Sequence, residues 1–442
     1  MTAQQNESNH AALRADAQRV LRWNDRRDFT TPSPYQYPHQ WNWDAACIAL
    51  GWSYFDVARA RTEIRALLRA QWRSGMAPHI IYHHGASDYF PPPEFWQTQG
   101  LAHGGTVLAS GLTQPPVLAT IVRRMHERLA QEPEQENFLR EIFPKILAWH
   151  RWLHTARDAD GTGLPCLIHP WESGTDNSPR WLAVLDQLTP YDVPAYTRRD
   201  MTHVHPDERP RAEDYERFVF LIDRGRRVQW DDARIMHAHP FLVQDVLFCS
   251  ILHQANQDLL FLGNAIGADT GEIQAWIEKT RAFFNARFWD AERGLYLDYD
   301  VRAGAAIPVN TCATFAPLYA GLAASTQVTR LMREHYDNPN EYAPDEKSGY
   351  RVPSTAKNEP DYAPRRYWCG PVWMMTNWLM VRGLKRYRLH SHAAELLASS
   401  LALMETRGLR EYYDPRDGTG LGGKEFAWTA GLALDFIAMD AE

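Results

Sequence analysis

Apolar residues recur along most of this chain at the three- and four-residue spacing of an amphipathic helix. The clearest apolar faces lie within 57–72, 138–153 and 273–284. Further helices are predicted at 44–55, 107–128, 241–262, 311–334, 371–387, 391–406 and 426–439. Alternating strand patterns are few, and the best of them, at 295–299, predicts only a short ribbon. The pattern therefore predicts an all-α fold.

Three long segments without periodicity interrupt the helices, near 75–106, 182–235 and 336–370. Loops of this length in a compact domain are usually either functional or disordered. These segments are rich in Tyr, Trp, Arg and His rather than Ser and Gly, which favours ordered loops around a pocket. No flexible linker and no fixed-period repeat divides the chain. We expect a single domain over 1–442, with an α/α barrel whose aromatic-rich loops gather at one end.

The charge and composition of the chain argue against several kinds of binding partner and location. The net charge of −7, without blocks of like charge, argues against nucleic acid and anionic membranes. No apolar run reaches membrane-spanning length, and the polar start of the chain, Met1 to Ala17, predicts no signal peptide. The five cysteines are scattered, as in proteins that keep their thiols reduced. The sequence predicts a cytoplasmic protein and leaves open whether it forms a homo-oligomer.

The densest candidate chemistry is Trp-Glu-Ser-Gly-Thr-Asp-Asn-Ser-Pro-Arg-Trp at 171–181. Two carboxylates, an arginine and two tryptophans stand there without the periodicity of a packed helix or strand. Tryptophan faces suit the apolar side of a pyranose ring, and a carboxyl group suits a glycosidic oxygen. Taken alone, the stretch fits equally well the capped start of a helix at Asp176 or Asn177.

Glycoside hydrolysis needs a second carboxyl group, on the other side of the scissile bond. Residues 410–415 (Arg-Glu-Tyr-Tyr-Asp-Pro) place an acid beside tyrosines, just before a glycine-rich turn. Residues 422–429 (Gly-Gly-Lys-Glu-Phe-Ala-Trp-Thr) place another at the start of the last apolar helix. By residue type alone, Glu411 and Glu425 are equal candidates for the partner of Asp176.

Seven motifs, in order along the chain, carry a family resemblance. They are Gln-Trp-Asn-Trp-Asp at 40–44, Gly-Met-Ala-Pro-His at 75–79, Gln-Pro-Pro at 114–116, the segment 172–181, Tyr-Trp-Cys-Gly-Pro-Val-Trp at 367–373, Glu-Tyr-Tyr-Asp-Pro at 411–415 and Phe-Ala-Trp-Thr-Ala at 426–430. The chain resembles the trehalase-like (α/α)6-barrel glycoside hydrolases of the processing α-glucosidase group. Within that group it most resembles the bacterial glucosylglycerate and mannosylglycerate hydrolases.

The resemblance implies a role for each carboxyl group. Asp176 becomes the general acid and Glu411 the general base, which decides against Glu425, and Glu172 recedes to a supporting position. These enzymes invert the anomeric configuration, so the two carboxyl groups should lie about 6.5–9.5 Å apart, with a water molecule between base and sugar. Asp176 must be protonated to act, so burial or the opposite carboxylate should raise its pKa.

The resemblance also implies a sugar subsite lined by Trp41, Trp43, Asp44 and Gln114, with Tyr37 as a neighbour. Tyr367 and Trp368 would close the pocket. Whether Trp181 stacks on sugar or packs behind its loop stays open.

The chain carries little beyond the barrel, and compact members of the group resemble the glycosylglycerate hydrolases, whose substrate bears a carboxylate. An anionic aglycone calls for an arginine at the pocket mouth. Arg209, with Tyr215, is the predicted clamp. His79 is predicted to donate to substrate or loop backbone, and Tyr89 to belong to a mobile lid. The sequence does not separate glucose from mannose.

Simpler roles remain for several of these residues. Asp44 could cap a helix beginning near Ala45, Gln114 could end a helix, Tyr367 and Trp368 could be core residues, and Arg209 could be a solvated loop arginine.

A metal, cofactor or nucleotide site is not expected. His150 and His154 share a helix face but lack the glutamate of a zinc-protease motif. Other close pairs are His83-His84, His203-x-His205 and His237-x-His239. Neither a phosphate-binding glycine loop nor a serine nucleophile elbow occurs. The expected partner is a small glycoside. The rival interpretations are a hydrolase of a neutral α-glucoside, a sugar epimerase or isomerase, and a silent sugar-binding protein.

Overall fold

The computed structural model describes residues 3–83, 89–132, 134–347 and 349–441. Helices dominate these ranges: α1 Ala3–Asn24, α2 Asn42–Trp52, α3 Val57–Arg69, α4 Pro93–Trp96, α5 Leu118–Leu129, α6 Gln135–Ala156, α7 Leu182–Leu185, α8 Ala212–Arg227, α9 Asp232–Ala238, α10 Val246–Ala265, α11 Gly271–Phe288, α12 Ala316–Ala320, α13 Ser325–Arg330, α14 Met374–Arg386, α15 His390–Arg407 and α16 Ala427–Asp440. Short 3₁₀ turns span Pro170–Ser173, Pro179–Trp181, Pro206–Glu208 and Cys312–Phe315, and a π-helical turn spans Leu331–Tyr336.

The strands are short: β1 Gln40–Trp41, β2 Ile80–Ile81, β3 Cys166–Leu167, β4 Val243–Gln244, β5 Trp289–Asp290, β6 Leu295–Tyr296, β7 Tyr299–Asp300, β8 Ala305–Ala306, β9 Arg410–Tyr413 and β10 Gly420–Lys424. All their pairings are antiparallel, and β3, β4, β7 and β8 form one small sheet in that order. The predicted ribbon at 295–299 is therefore wrong in detail, because its two ends belong to β6 and β7, which pair with different strands.

Six helices pack in sequence around a common core. Helix α2 packs on α5, α5 on α10, α10 on α12, α12 on α14, α14 on α16, and α16 returns to α2. Helices α1, α3, α6, α11 and α15 lie against this ring. All eleven residues of α2 and all five of α12 are buried, whereas α5 leaves a polar face of Arg123, Arg124, Glu127 and Arg128 at least partly exposed. Helices α2 and α16 carry apolar residues on nearly every face, which is the pattern of a helix surrounded by other helices.

Helices α2 and α16 approach each other closely at Gly51 and Gly431. A Cβ atom on Gly51 would lie 2.4 Å from the Gly431 Cα, and one on Gly431 would lie 2.3 Å from the Cys47 carbonyl oxygen. Both positions therefore require glycine. The contact brings the end of α2 close against the first half of α16.

Ten predicted helical stretches all contain helix, but two have wrong boundaries. The stretch 107–128 becomes helical only at Leu118, because Pro115 and Pro116 lack amide donors and restrict the residues before them. The stretch 311–334 is divided, because Gly321 adopts a left-handed φ of 69° and ends α12.

The predicted loop at 182–235 is wrong over much of its length, because it contains α8 and α9. Helix α8 buries Tyr215, Phe218, Val219 and Ile222, whose spacing is helical but is masked by the charged residues between them. Helix α1 was not predicted at all. The segments 75–106 and 336–370 hold only β2, α4 and one end of the π-helical turn within the described residues.

Candidate active site

One pocket of about 760 Å³, partly open to solvent, lies beside the first turns of four ring helices. Helices α2, α5, α14 and α16 all start beside it, so the segments that precede them supply much of its wall. All thirteen residues predicted for the site line this pocket: Tyr37, Trp41, Trp43, Asp44, His79, Tyr89, Gln114, Asp176, Arg209, Tyr215, Tyr367, Trp368 and Glu411. Glu425 is not among the lining residues, and its carboxylate pairs with Arg19 at 2.7 Å.

Glu411 lies in β9 and is buried. Its Oε1 accepts a hydrogen bond from Tyr37 Oη at 2.7 Å, and its Oε2 accepts one from the Gly423 amide at 2.7 Å. That amide is aimed by a bulge in the β9–β10 hairpin. At Gly422 the backbone has a φ of 62°, and a Cβ would lie 2.4 Å from Glu411 Oε2, so only glycine fits. The hairpin thus holds one carboxylate oxygen on a backbone donor.

Arg209 lies against Glu411 on the same side of the pocket. Its guanidinium donates to Tyr37 Oη at 2.6 Å and lies 3.5 Å from Glu411 Oε1. It also faces the Tyr367 ring, 4.6 Å from the ring centroid. Only 2% of Arg209 is exposed, so it is not a solvated loop arginine, as the simpler interpretation would have it.

Asp176 lies in the loop that follows the 3₁₀ turn Pro170–Ser173, and it lines the same pocket. Burial of its carboxyl group, together with the negative charges of Glu411 and Asp200, raises its pKa to about 7, although Arg209 opposes the shift. A carboxyl group with this pKa keeps its proton over a useful part of the neutral range, as a general acid must.

Asp44, in the first turn of α2, adds a third carboxyl group to the pocket. Burial raises its pKa well above the ordinary value, and the charges of Glu411 and Asp176 push it the same way. The helix begins at Asn42 rather than near Ala45, so Asp44 is not its cap.

A buried ion pair between Arg157 and Glu172 supports the loop that carries Asp176. The Glu172 carboxylate accepts two hydrogen bonds from the Arg157 guanidinium, each at 3.1 Å. It also accepts hydrogen bonds from the backbone amides of Ile168 at 2.8 Å and Thr113 at 3.2 Å. Neither side chain of the Arg157–Glu172 pair is more than 2% exposed. The predicted supporting position of Glu172 matches these contacts.

Arg180 and Trp181 anchor the other end of the loop. Arg180 pairs with Asp298 at 2.8 Å and Asp245 at 3.2 Å, and Asp245 caps α10 by accepting from the Leu247 amide. Trp181 is fully buried and is absent from the pocket lining, so it packs behind its loop and does not face the pocket.

Aromatic rings form the pocket wall. The Trp368 and Trp373 rings stack at 3.8 Å with an angle of 4°, and the Trp43 ring meets Trp428 edge-on at 5.0 Å. The Trp41 ring meets Tyr89 edge-on at 5.1 Å. Broad aromatic surfaces of this kind suit the apolar faces of a sugar ring.

The remaining predicted residues are held in place by their neighbours. Gln114 Oε1 accepts from the Trp43 amide at 3.3 Å, and His79 Nδ1 hydrogen bonds to Ser110 Oγ at 2.7 Å. Burial lowers the His79 pKa well below its ordinary value, so the ring is neutral. The Tyr215 ring is buried in α8 and faces the Arg198 guanidinium at 4.4 Å.

The site prediction missed eight lining residues: Pro32, Trp171, Gly174, Asp200, Pro210, Trp373, Phe426 and Trp428. Five of them stand inside motifs already singled out, so their motif membership was the available signal. Asp200 had no such signal, since it lies in a loop of mixed charge. Its carboxylate pairs with Arg198 at 2.6 Å, and its carbonyl accepts from Arg209 Nε at 3.1 Å.

The histidines at His150 and His154 belong to helix packing. His150 Nδ1 and His154 Nε2 both hydrogen bond to the Asn256 side chain, at 2.7 and 2.9 Å. Within the described ranges, no three histidine, cysteine or acidic side chains are grouped as metal ligands. His84, of the pair His83-His84, lies outside the described residues. Nor does any described helix have the length and apolarity needed to cross a membrane.

Known proteins match nearly the whole length of this chain. The model of the mannosylglycerate hydrolase MGH1-like glycoside hydrolase domain matches residues 37–429. A mannosylglycerate hydrolase of Thermus thermophilus is 44% identical over 94% of this chain and 98% of its own length. A glucosylglycerate hydrolase of Mycolicibacterium hassiacum is 36% identical over 96% of this chain and 97% of its own.

Among solved structures, a GH63 mannosylglycerate hydrolase of Thermus thermophilus, in complex with Tris and D-glycerate, superposes with a TM-score of 0.89. It is 42% identical, and the match covers 97% of this chain and 100% of that one. The helix-rich fold, the ordered motifs and the matched length all agree, and the chain belongs to the mannosylglycerate hydrolase MGH1-like family of glycoside hydrolases.

Proposed function

We propose that this protein is an inverting α-glycoside hydrolase that releases mannose or glucose from mannosylglycerate or glucosylglycerate. The observation that carries the proposal is one pocket that combines Asp176, with its pKa raised to about 7, with Glu411 and Arg209. The names of the similar hydrolases support the same substrate class.

In this proposal Asp176 gives its proton to the glycosidic oxygen as the bond to the anomeric carbon breaks. Glu411 takes a proton from a water molecule, whose oxygen attacks that carbon from the opposite face. The products are a hexose of inverted configuration and glycerate. Water entering between base and sugar requires the carboxyl groups to be about 6.5–9.5 Å apart. Tyr37 and the Gly423 amide orient Glu411 for this step.

The proposal includes the architecture. The closed sequence of packing contacts from α2 through α5, α10, α12, α14 and α16 supports the inner ring of an (α/α)6 barrel. We take 1–442 as one catalytic domain, because the matched family domain spans 37–429 and α1 packs on α16 and α15.

Arg209 is proposed to bind the glycerate carboxylate, with Tyr215, Tyr89 and His79 around it. We expect Arg209→Ala to raise KM for the glycerate glycoside about 10- to 100-fold, as for the loss of a charged hydrogen bond of about 1.5–3 kcal/mol. KM for glucosylglycerol, whose aglycone is uncharged, should change far less. Steady-state kinetics on both substrates measure the difference. An unchanged KM for the glycerate glycoside would refute the proposal that Arg209 binds the glycerate carboxylate.

Activity should fall as Asp176 loses its proton. Because its pKa is about 7, kcat/KM is expected to decline roughly tenfold per pH unit above about pH 7. The Arg209 charge opposes the rise in this pKa. Arg209→Ala should therefore move the alkaline limb of the pH profile to higher pH. A limb that stays in place or moves to lower pH would contradict the assignment.

The proposed function is tested by incubating the purified protein with glucosylglycerate, mannosylglycerate, glucosylglycerol, trehalose and kojibiose and measuring free hexose. We expect release from one or both glycerate glycosides well above release from the neutral ones. A preference for a neutral glucoside would refute the aglycone assignment. Incubation in heavy water adds a second readout: deuterium in unhydrolysed sugar would indicate an epimerase or isomerase instead.

A further inference from the structure

Asp176 stands between two anchored residues of its own loop. On one side, Thr175 is held within that loop, because Arg180 Nη2 donates to its hydroxyl at 2.7 Å and Trp181 Nε1 donates to its carbonyl at 3.0 Å. On the other side stands Asn177. The bonds to Thr175 hold the backbone just before Asp176.

Asn177 reaches across to the tryptophan loop, defined here as residues 367–373. The Trp368 amide donates to Asn177 Oδ1 at 2.9 Å, and Asn177 Nδ2 lies 3.4 Å from Cys369 Sγ. The Cys369 thiol in turn donates to the Asn177 carbonyl at 3.2 Å. Both residues are buried, and burial raises the pKa of the Cys369 thiol to about 12. The thiol therefore stays protonated and remains a donor.

The tryptophan loop is held by further contacts of its own. The Trp368 and Trp373 rings are stacked, and Trp373 Nε1 donates to the Tyr367 carbonyl at 3.1 Å. Thr355 Oγ1 donates to the Trp368 carbonyl at 3.2 Å. The loop that carries the acid and the loop that carries part of the aromatic wall are thus joined by three contacts through Asn177 and Cys369.

We propose that Asn177 and Cys369 are positioning residues that fix the Asp176 carboxyl group relative to the aromatic wall. The inference rests on the proposed function, because it assigns them the placing of a proton donor. A general acid must meet the glycosidic oxygen closely, and a displacement of about 1 Å can lower the rate about 100-fold. Asn177→Ala removes two of the three contacts and leaves the Asp176 side chain unchanged.

The test compares two leaving groups. Hydrolysis of the glycerate glycoside needs the proton from Asp176, whereas the α-fluoride of the same hexose loses fluoride with little need for protonation. We expect Asn177→Ala to lower kcat on the glycoside about 100-fold and to spare the fluoride. Cys369→Ala should lower kcat on the glycoside less, and Cys369→Ser, whose hydroxyl can donate to the Asn177 carbonyl, should restore it.

Asn377→Ala is the matched control, because Asn377 is a buried asparagine outside the pocket that donates to Ser400 Oγ at 3.0 Å. Asn377→Ala should lower the stability of the protein without changing the ratio of kcat on the glycoside to kcat on the fluoride. Equal losses on both substrates for Asn177→Ala, or no recovery in Cys369→Ser, would overturn the positioning role. If Asn177→Ala does not fold, the Cys369 pair decides alone. A wild-type protein inactive on both substrates would overturn the proposed function, and the positioning role with it.

Discussion

Asp176→Asn is expected to lower kcat on the glycerate glycoside by about 10²–10⁴-fold, because asparagine cannot supply the proton that the leaving oxygen needs. The loss should be far smaller on the α-fluoride of the same hexose. Glu411→Gln should lose a similar factor on both substrates, since water must be activated in either case. Initial rates of the two variants on the two substrates measure the pattern.

Asp207→Asn provides the matched control. Asp207 precedes Arg209 in the same loop, but its side chain is 79% exposed and it does not line the pocket. Its rates on both substrates should equal those of the wild-type protein. The assignment would be reversed if Glu411→Gln spared the fluoride and Asp176→Asn did not. It would fail if either variant kept full activity on the glycoside.

Arg157→Met is expected to lower the free energy of unfolding by about 3–5 kcal/mol, because it leaves the Glu172 carboxylate buried without its counter-charge. Glu172 is fully buried in the turn before Asp176, and each of its two carboxylate oxygens accepts a hydrogen bond from Arg157. Denaturant unfolding followed by tryptophan fluorescence measures the change.

The double variant Arg157→Met with Glu172→Gln separates lost charge balance from lost packing. It removes the uncompensated charge, so it should regain part of the stability lost in Arg157→Met. A double variant less stable than Arg157→Met by the full effect of Glu172→Gln alone would show that the two side chains do not depend on each other.

The sequence predicted the residues that line the pocket better than it predicted the boundaries of the helices around them. Asp176 and Glu411 stand 235 positions apart (411 − 176), and no local pattern connects them. Residue type alone could not choose Glu411 over Glu425; the order of the motifs made that choice, and the pocket lining agrees with it. Asp200 could not be found, because only the folded loop brings it beside Arg209.

Helix boundaries were predicted less well, for local reasons. Gly321 ends a helix inside an apolar stretch that otherwise reads as continuous. Helix α8 was missed because its charged residues stand between the apolar ones and mask the face that carries Tyr215. The partnership of Arg209 with Tyr37 was also beyond the sequence, since it depends on two distant loops that meet at one pocket.

The anomer first released from mannosylglycerate or glucosylglycerate is the most direct test of the inverting mechanism proposed for Asp176 and Glu411. Proton NMR of the wild-type reaction at early times, before the free hexose mutarotates, identifies it. We predict the β-anomer, because a water molecule activated by Glu411 attacks the face opposite the bond that Asp176 protonates. Early release of the α-anomer would contradict this mechanism, since it would require a retaining reaction rather than two carboxyl groups separated by water.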